Sequence, residues 1–109
     1  MKCKIKGKEY ECVAYTSFNY LKGTKRECQE IHFNKALGEV LEMGFGDNVP
    51  FSIIDDSNEQ PGIQGEVDKS DFSIYGGMDL RDHITVYMCK PTEVEDLQAV
   101  IEALTSNIN

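Results

Sequence analysis

Two runs of alternating residues, Lys2 to Lys6 and Glu9 to Tyr20, are separated only by Gly7 and Lys8. Side chains on an extended strand point to opposite faces in turn, so such alternation specifies strands with one face toward a core. Glycine first in a two-residue connection is the signature of a type II′ β-hairpin turn. That loop pairs Lys6 with Glu9, Ile5 with Tyr10, Lys4 with Glu11 and Cys3 with Cys12. Opposite charges then face one another, and Cys3 and Cys12 become direct neighbours. The longer run puts Tyr10, Cys12, Ala14, Thr16, Phe18 and Tyr20 on one face, which is expected to meet the core.

Further elements follow from turn residues and periodicity. Lys22, Gly23 and Thr24 mark a turn, and Arg26 to Phe33 reads as a strand with Ile31 and Phe33 inward. Asn34 is positioned to cap a short helix whose Leu37, Val40 and Leu41 share a face and which ends at Gly44 and Gly46. Val49 to Ile54 is expected as a strand, and the polar stretch Asp55 to Glu66 as a long loop. Asp71 to Met78 and His83 to Cys89 form a second hairpin turning over Asp79 to Asp82, with Phe72 and Ile74 on the side of Ile84, Val86 and Met88. Gly76 and Gly77 inside a strand pattern indicate a bulge or a close backbone approach rather than a phosphate loop, which would have to lead into a helix.

Thr92 and Glu95 make a capping box that opens a C-terminal helix over 92–108. Its Val94, Leu97, Ile101, Leu104 and Ile108 recur at intervals of three and four, the stripe of a helix that lies on its own sheet or pairs with a second chain. These five residues are the candidate interaction site. The resulting expectation is a single α+β domain over residues 1–109. It has an antiparallel sheet of two hairpins plus additional strands, one short internal helix and a C-terminal amphipathic helix.

Composition limits function. A net charge of -8 disfavours nucleic acid and anionic membrane, since phosphate binding needs clustered cations. No apolar run is long enough to span a bilayer and the start has no secretory signal pattern, so a cytoplasmic protein is expected. In that compartment Cys3, Cys12, Cys28 and Cys89 are expected reduced, and their spacing suits no zinc motif. Asp55, Ser57, Glu59 and Glu66 sit at calcium-loop positions, but Gln60 replaces the required glycine. His32 and His83 lack partners at ligand spacing and read as strand-surface residues. No nucleophile or acid/base motif emerges, so no catalytic, cofactor or metal residues are assigned, and a non-enzymatic protein is expected.

The lysine-rich hairpin entering Glu9-Tyr10-Glu11-Cys12-Val13, the central Pro50-Phe51-Ser52-Ile53-Ile54-Asp55-Asp56, the Ile74-Tyr75-Gly76-Gly77-Met78 strand and the Lys90-Pro91-Thr92-Glu93 helix entry resemble one family. It is that of the small proteins carried in tail or fibre modules of phages and prophages of Gram-positive gut bacteria. The resemblance implies a tail or tail-assembly accessory protein that acts through protein contacts, itself included, and that can be virion-associated. It implies no catalytic residues. The alternative class is a soluble acidic adaptor or inhibitor that uses its negative surface on a basic partner.

Overall fold

A computed structural model describes residues 1–55 and 65–92. The chain runs β1 (Lys2–Ile5), β2 (Lys8–Glu11), β3 (Val13–Leu21), β4 (Thr24–Phe33), α1 (Leu37–Met43), β5 (Phe51–Asp55), β6 (Gly65–Asp68), β7 (Ile74–Asp79) and β8 (Ile84–Cys89). These strands form two four-stranded antiparallel sheets, ordered β2-β1-β5-β6 and β3-β4-β8-β7. The described fold is therefore mostly β, not the α+β domain with one sheet that the pattern led us to expect. What hid the second sheet is the Glu9 to Tyr20 run, which is not one strand. It breaks at Cys12, so that β2 belongs to the first sheet and β3 to the second. Both Cys12 and Ala14 are buried, and the alternation passes through the break undisturbed. The expected C-terminal helix, with Val94, Leu97, Ile101, Leu104 and Ile108, lies outside the described residues.

Both tight hairpins turn on a Lys-Gly pair. In the first, Lys6 and Gly7 have φ of 52° and 78°, and in the second Lys22 and Gly23 have 52° and 79°. Two successive positive φ values are those of a type I′ turn, whose twist matches that of the flanking strands. The first loop is thus Lys6-Gly7, and Cys3 pairs with Tyr10, not Cys12. The two-residue shift leaves every side chain on its expected face. It also keeps charge complementarity, with Lys4 opposite Glu9 and Lys2 opposite Glu11. Complementarity therefore could not distinguish the two registers.

One core joins the sheets. Cys3, Ile5, Phe51 and Ile53 from the first sheet pack with Ile31, Phe33, Val86 and Met88 from the second. Helix α1 adds Val40 and Met43. Its exposed residues include Leu37 and Leu41, two of the three expected to face inward. Ala36, and not Asn34, occupies the N-cap, without a side-chain bond, while Gly44 closes the C-terminus in the left-handed conformation. Asp47 Oδ1 accepts from the Tyr75 amide at 2.8 Å and Ser73 O accepts from the Asn48 amide at 2.7 Å, tying the segment after α1 to the start of β7.

The β7–β8 hairpin forms with a bulge at Gly76, but Ile74 pairs with Cys89, so Tyr75 and Met78, and not Ile74, lie on the side of Val86 and Met88. A Cβ at Gly76 would lie 3.0 Å from Cys89 Sγ and 3.2 Å from the Tyr87 carbonyl oxygen, so any larger residue has to push these neighbours back by a few tenths of an ångström. Part of the expected 55–66 loop is the strand β6, whose Glu66 accepts a 2.9 Å bond from Ser52 Oγ and pairs with Lys4.

The cysteines also depart from expectation. Cys28 and Cys89 face one another across β4 and β8 with Cα atoms 4.1 Å apart, joined as a disulfide. The adjacent Lys90 amide donates to Glu27 O, so the cysteines occupy a non-hydrogen-bonded position, where strands approach most closely. Their sequence separation of 61 residues gave no sign of this. Cys3 and Cys12 lie outside this disulfide and are buried. Burial, followed by the nearby Cys12 sulfur, pushes the Cys3 thiol well above its usual range, which leaves it inert.

Candidate functional site

The β3–β4 hairpin is longer than the core it covers. On the inward face of β3, Ala14 is buried, but Phe18 and Tyr20 further along the same face are 64% and 75% exposed. The pairing is regular throughout, Ala14 with Ile31, Phe18 with Glu27, and Tyr20 with Lys25. The strand thus keeps its form while losing its cover. Lys25 Nζ lies 5.9 Å from the Phe18 ring centre, a cation–π contact that retains the ring beside a charge without burying it. Two bare aromatic rings on one strand face are a costly surface for a monomer to carry, and such patches mark contact sites.

Where the covered part ends, Gln29 is only 2% exposed. Its side-chain oxygen finds no hydrogen-bond partner among the described residues. Gln29 pairs with Thr16 on β3 and Met88 on β8, so this acceptor sits at the margin between the packed and bare parts of the hairpin.

The opposite face of the same sheet carries a polar cluster. β4 presents Glu30 and His32, β3 presents Tyr15, β8 presents Thr85, and the turn between β7 and β8 brings His83. His32 Nδ1 lies 2.5 Å from His83 Nε2 and 3.0 Å from Thr85 Oγ1. Its Nε2 lies 3.0 Å from the Tyr15 hydroxyl and 3.2 Å from Glu30 Oε1. The Tyr15 hydroxyl donates to the same carboxylate at 3.2 Å, and its ring stacks on that of His32. Desolvation, then the Glu30 charge and hydrogen bond, raise the Tyr15 pKa and keep it a neutral donor.

An open concavity of about 460 Å³ adjoins the histidines, and Asp79, Arg81 and Asp82 line it. Arg81 engages the Asp79 carboxylate through both Nε and Nη2. These bonds, the strongest of several effects, lower the Asp79 carboxyl from 3.8 to about 2. Because the folded value is depressed, whatever this pair contributes is present above the ordinary carboxylate range and lost as pH falls through about 2.

His32 and His83 are therefore not isolated strand-surface residues. They are 51 positions apart and meet only because β4 pairs with β8. Alternation on β4 and the turn before β8 were the available signals; neither says which strands are neighbours. Among the described residues, no group of three or more His, Cys, Asp or Glu converges as a metal site, and no helix is long and apolar enough to cross a membrane. Against known proteins, the chain matches no family model, no curated protein and no solved structure.

Proposed function

We propose that this protein works through protein contacts, as an accessory component of a phage-type tail or of its assembly, with the bare end of the β3–β4 hairpin as its contact element. The supporting observation is the exposure of Phe18 and Tyr20 on the strand face whose inner end, at Ala14, is packed into the core. Aromatic side chains offer large contact area at low conformational cost and dominate the centres of protein interfaces. The tail setting comes from the resemblance of the strand and turn segments. An acidic adaptor acting on a basic partner is the second reading, favoured by the net charge of -8. Induced phage particles from the source strain, purified through a density gradient and probed with antibody to this protein, test the first reading. The protein is expected at a fixed ratio to the tail proteins, or in tail-assembly intermediates. Its absence from both rejects the tail role.

A further inference from the structure

The chain contains two histidines, and the β4–β8 pairing brings both imidazoles into contact. Glu30 Oε1, as a carboxylate oxygen, can only accept, so the proton of neutral His32 belongs on Nε2, which faces it at 3.2 Å. The lone pair of His32 is then on Nδ1, which both His83 Nε2 and the Thr85 hydroxyl approach. A carboxylate that holds the far N–H of an imidazole is the arrangement that orients histidine ligands at transition-metal sites and raises their basicity. Asp79 and Asp82 line the adjoining concavity, with Arg81 the cation among them. The local charge favours a cation over an anion.

We propose that His32 Nδ1 and His83 Nε2 bind a divalent transition-metal ion of the zinc class. Imidazole nitrogens suit zinc, copper and nickel, while magnesium and calcium require oxygen donors. Without metal, His83 Nε2–H donates to His32 Nδ1. On binding, His83 carries its proton on Nδ1 instead, and both facing lone pairs go to the ion. Two nitrogens each about 2.0–2.1 Å from a tetrahedral zinc lie roughly 3.3 Å apart. The present 2.5 Å contact must therefore open by less than about 1 Å. His83 is exposed and lies in the turn before β8, where such a shift disturbs no ladder bond. Since no third His, Cys or carboxylate converges among the described residues, water completes the coordination, giving an exchangeable site and not a structural one.

Nitrogen-edited NMR of the imidazoles, with zinc ion added to the full chain, tests this, because two rings give four nitrogen signals. Saturation at one equivalent, with His32 Nδ1 and His83 Nε2 moving and His83 changing tautomer, is the expected result. His83→Gln removes the binding while the amide spectrum keeps its dispersion, and Glu30→Gln weakens it roughly 10- to 100-fold through loss of the orienting carboxylate. Ring nitrogens that stay unmoved in excess zinc overturn the proposal. Equal zinc affinity in His83→Gln also overturns it, placing the ion at another site.

Discussion

The two halves of the β3–β4 hairpin share a register, an alternation pattern and a sheet, yet on the face that carries Ala14, Phe18 and Tyr20 the inner end is packed and the outer end bare. Near the core, Ala14 pairs with Ile31 and both are buried; near the turn, Tyr20 pairs with Lys25 and both are exposed. Strand form therefore does not depend on burial here. Once the inner half is anchored by β8 and the opposing sheet, backbone pairing and the Lys22-Gly23 turn suffice to carry the ribbon outward. The inner half supplies stability and the outer half is free to supply contacts.

The largest effect that separates the halves is expected in the packed one. Phe33→Ala removes a ring with no exposed area and should cost about 3–5 kcal/mol in urea unfolding, since the surrounding side chains refill such a cavity only partly. A cost under about 1 kcal/mol would mean that the two sheets do not share one core. Next comes the disulfide, which pins β4 to β8. Reduction should lower stability by about 2–4 kcal/mol. Denatured, unreduced protein should take up alkylating reagent on Cys3 and Cys12 alone. Four modified cysteines without reductant would contradict the pairing.

A smaller effect, of opposite sign, is expected at the margin. Gln29→Met replaces a buried acceptor that has no partner among the described residues with an apolar group of similar volume, which should raise stability by about 1 kcal/mol. A fall in the urea midpoint would show that the Gln29 oxygen is satisfied. It would also move the boundary of the packed half outward.

What was legible in the sequence follows the same division between local and non-local information. Alternation located most strands, and the glycine pair located the bulge, because both are properties of a few consecutive residues. The first turn was misplaced because lysine at positive φ is uncommon, so the alternative with Gly7 leading the loop looked better. Helix α1 is legible, and of the face expected from Leu37, Val40 and Leu41 only Val40 reaches the core, joined there by Met43. Helical periodicity permits either stripe, and only the position of the sheets decides. The exposure of Phe18 and Tyr20, the Cys28–Cys89 pairing and the His32–His83 contact all depend on which strands are neighbours and how far the opposing sheet extends. No local pattern encodes that. The interaction stripe expected at Val94, Leu97, Ile101, Leu104 and Ile108 remains a sequence expectation outside the described residues.

The most direct test of the division between an anchoring half and a contact half is the double variant Phe18→Ser with Tyr20→Ser, scored by its amount in purified phage particles or tail-assembly intermediates. Its urea midpoint serves as the internal control. The account predicts that incorporation is lost while stability changes by about 1 kcal/mol or less, as for exposed positions away from a core. Normal incorporation of the variant would contradict it, as would a loss of stability comparable to that of Phe33→Ala.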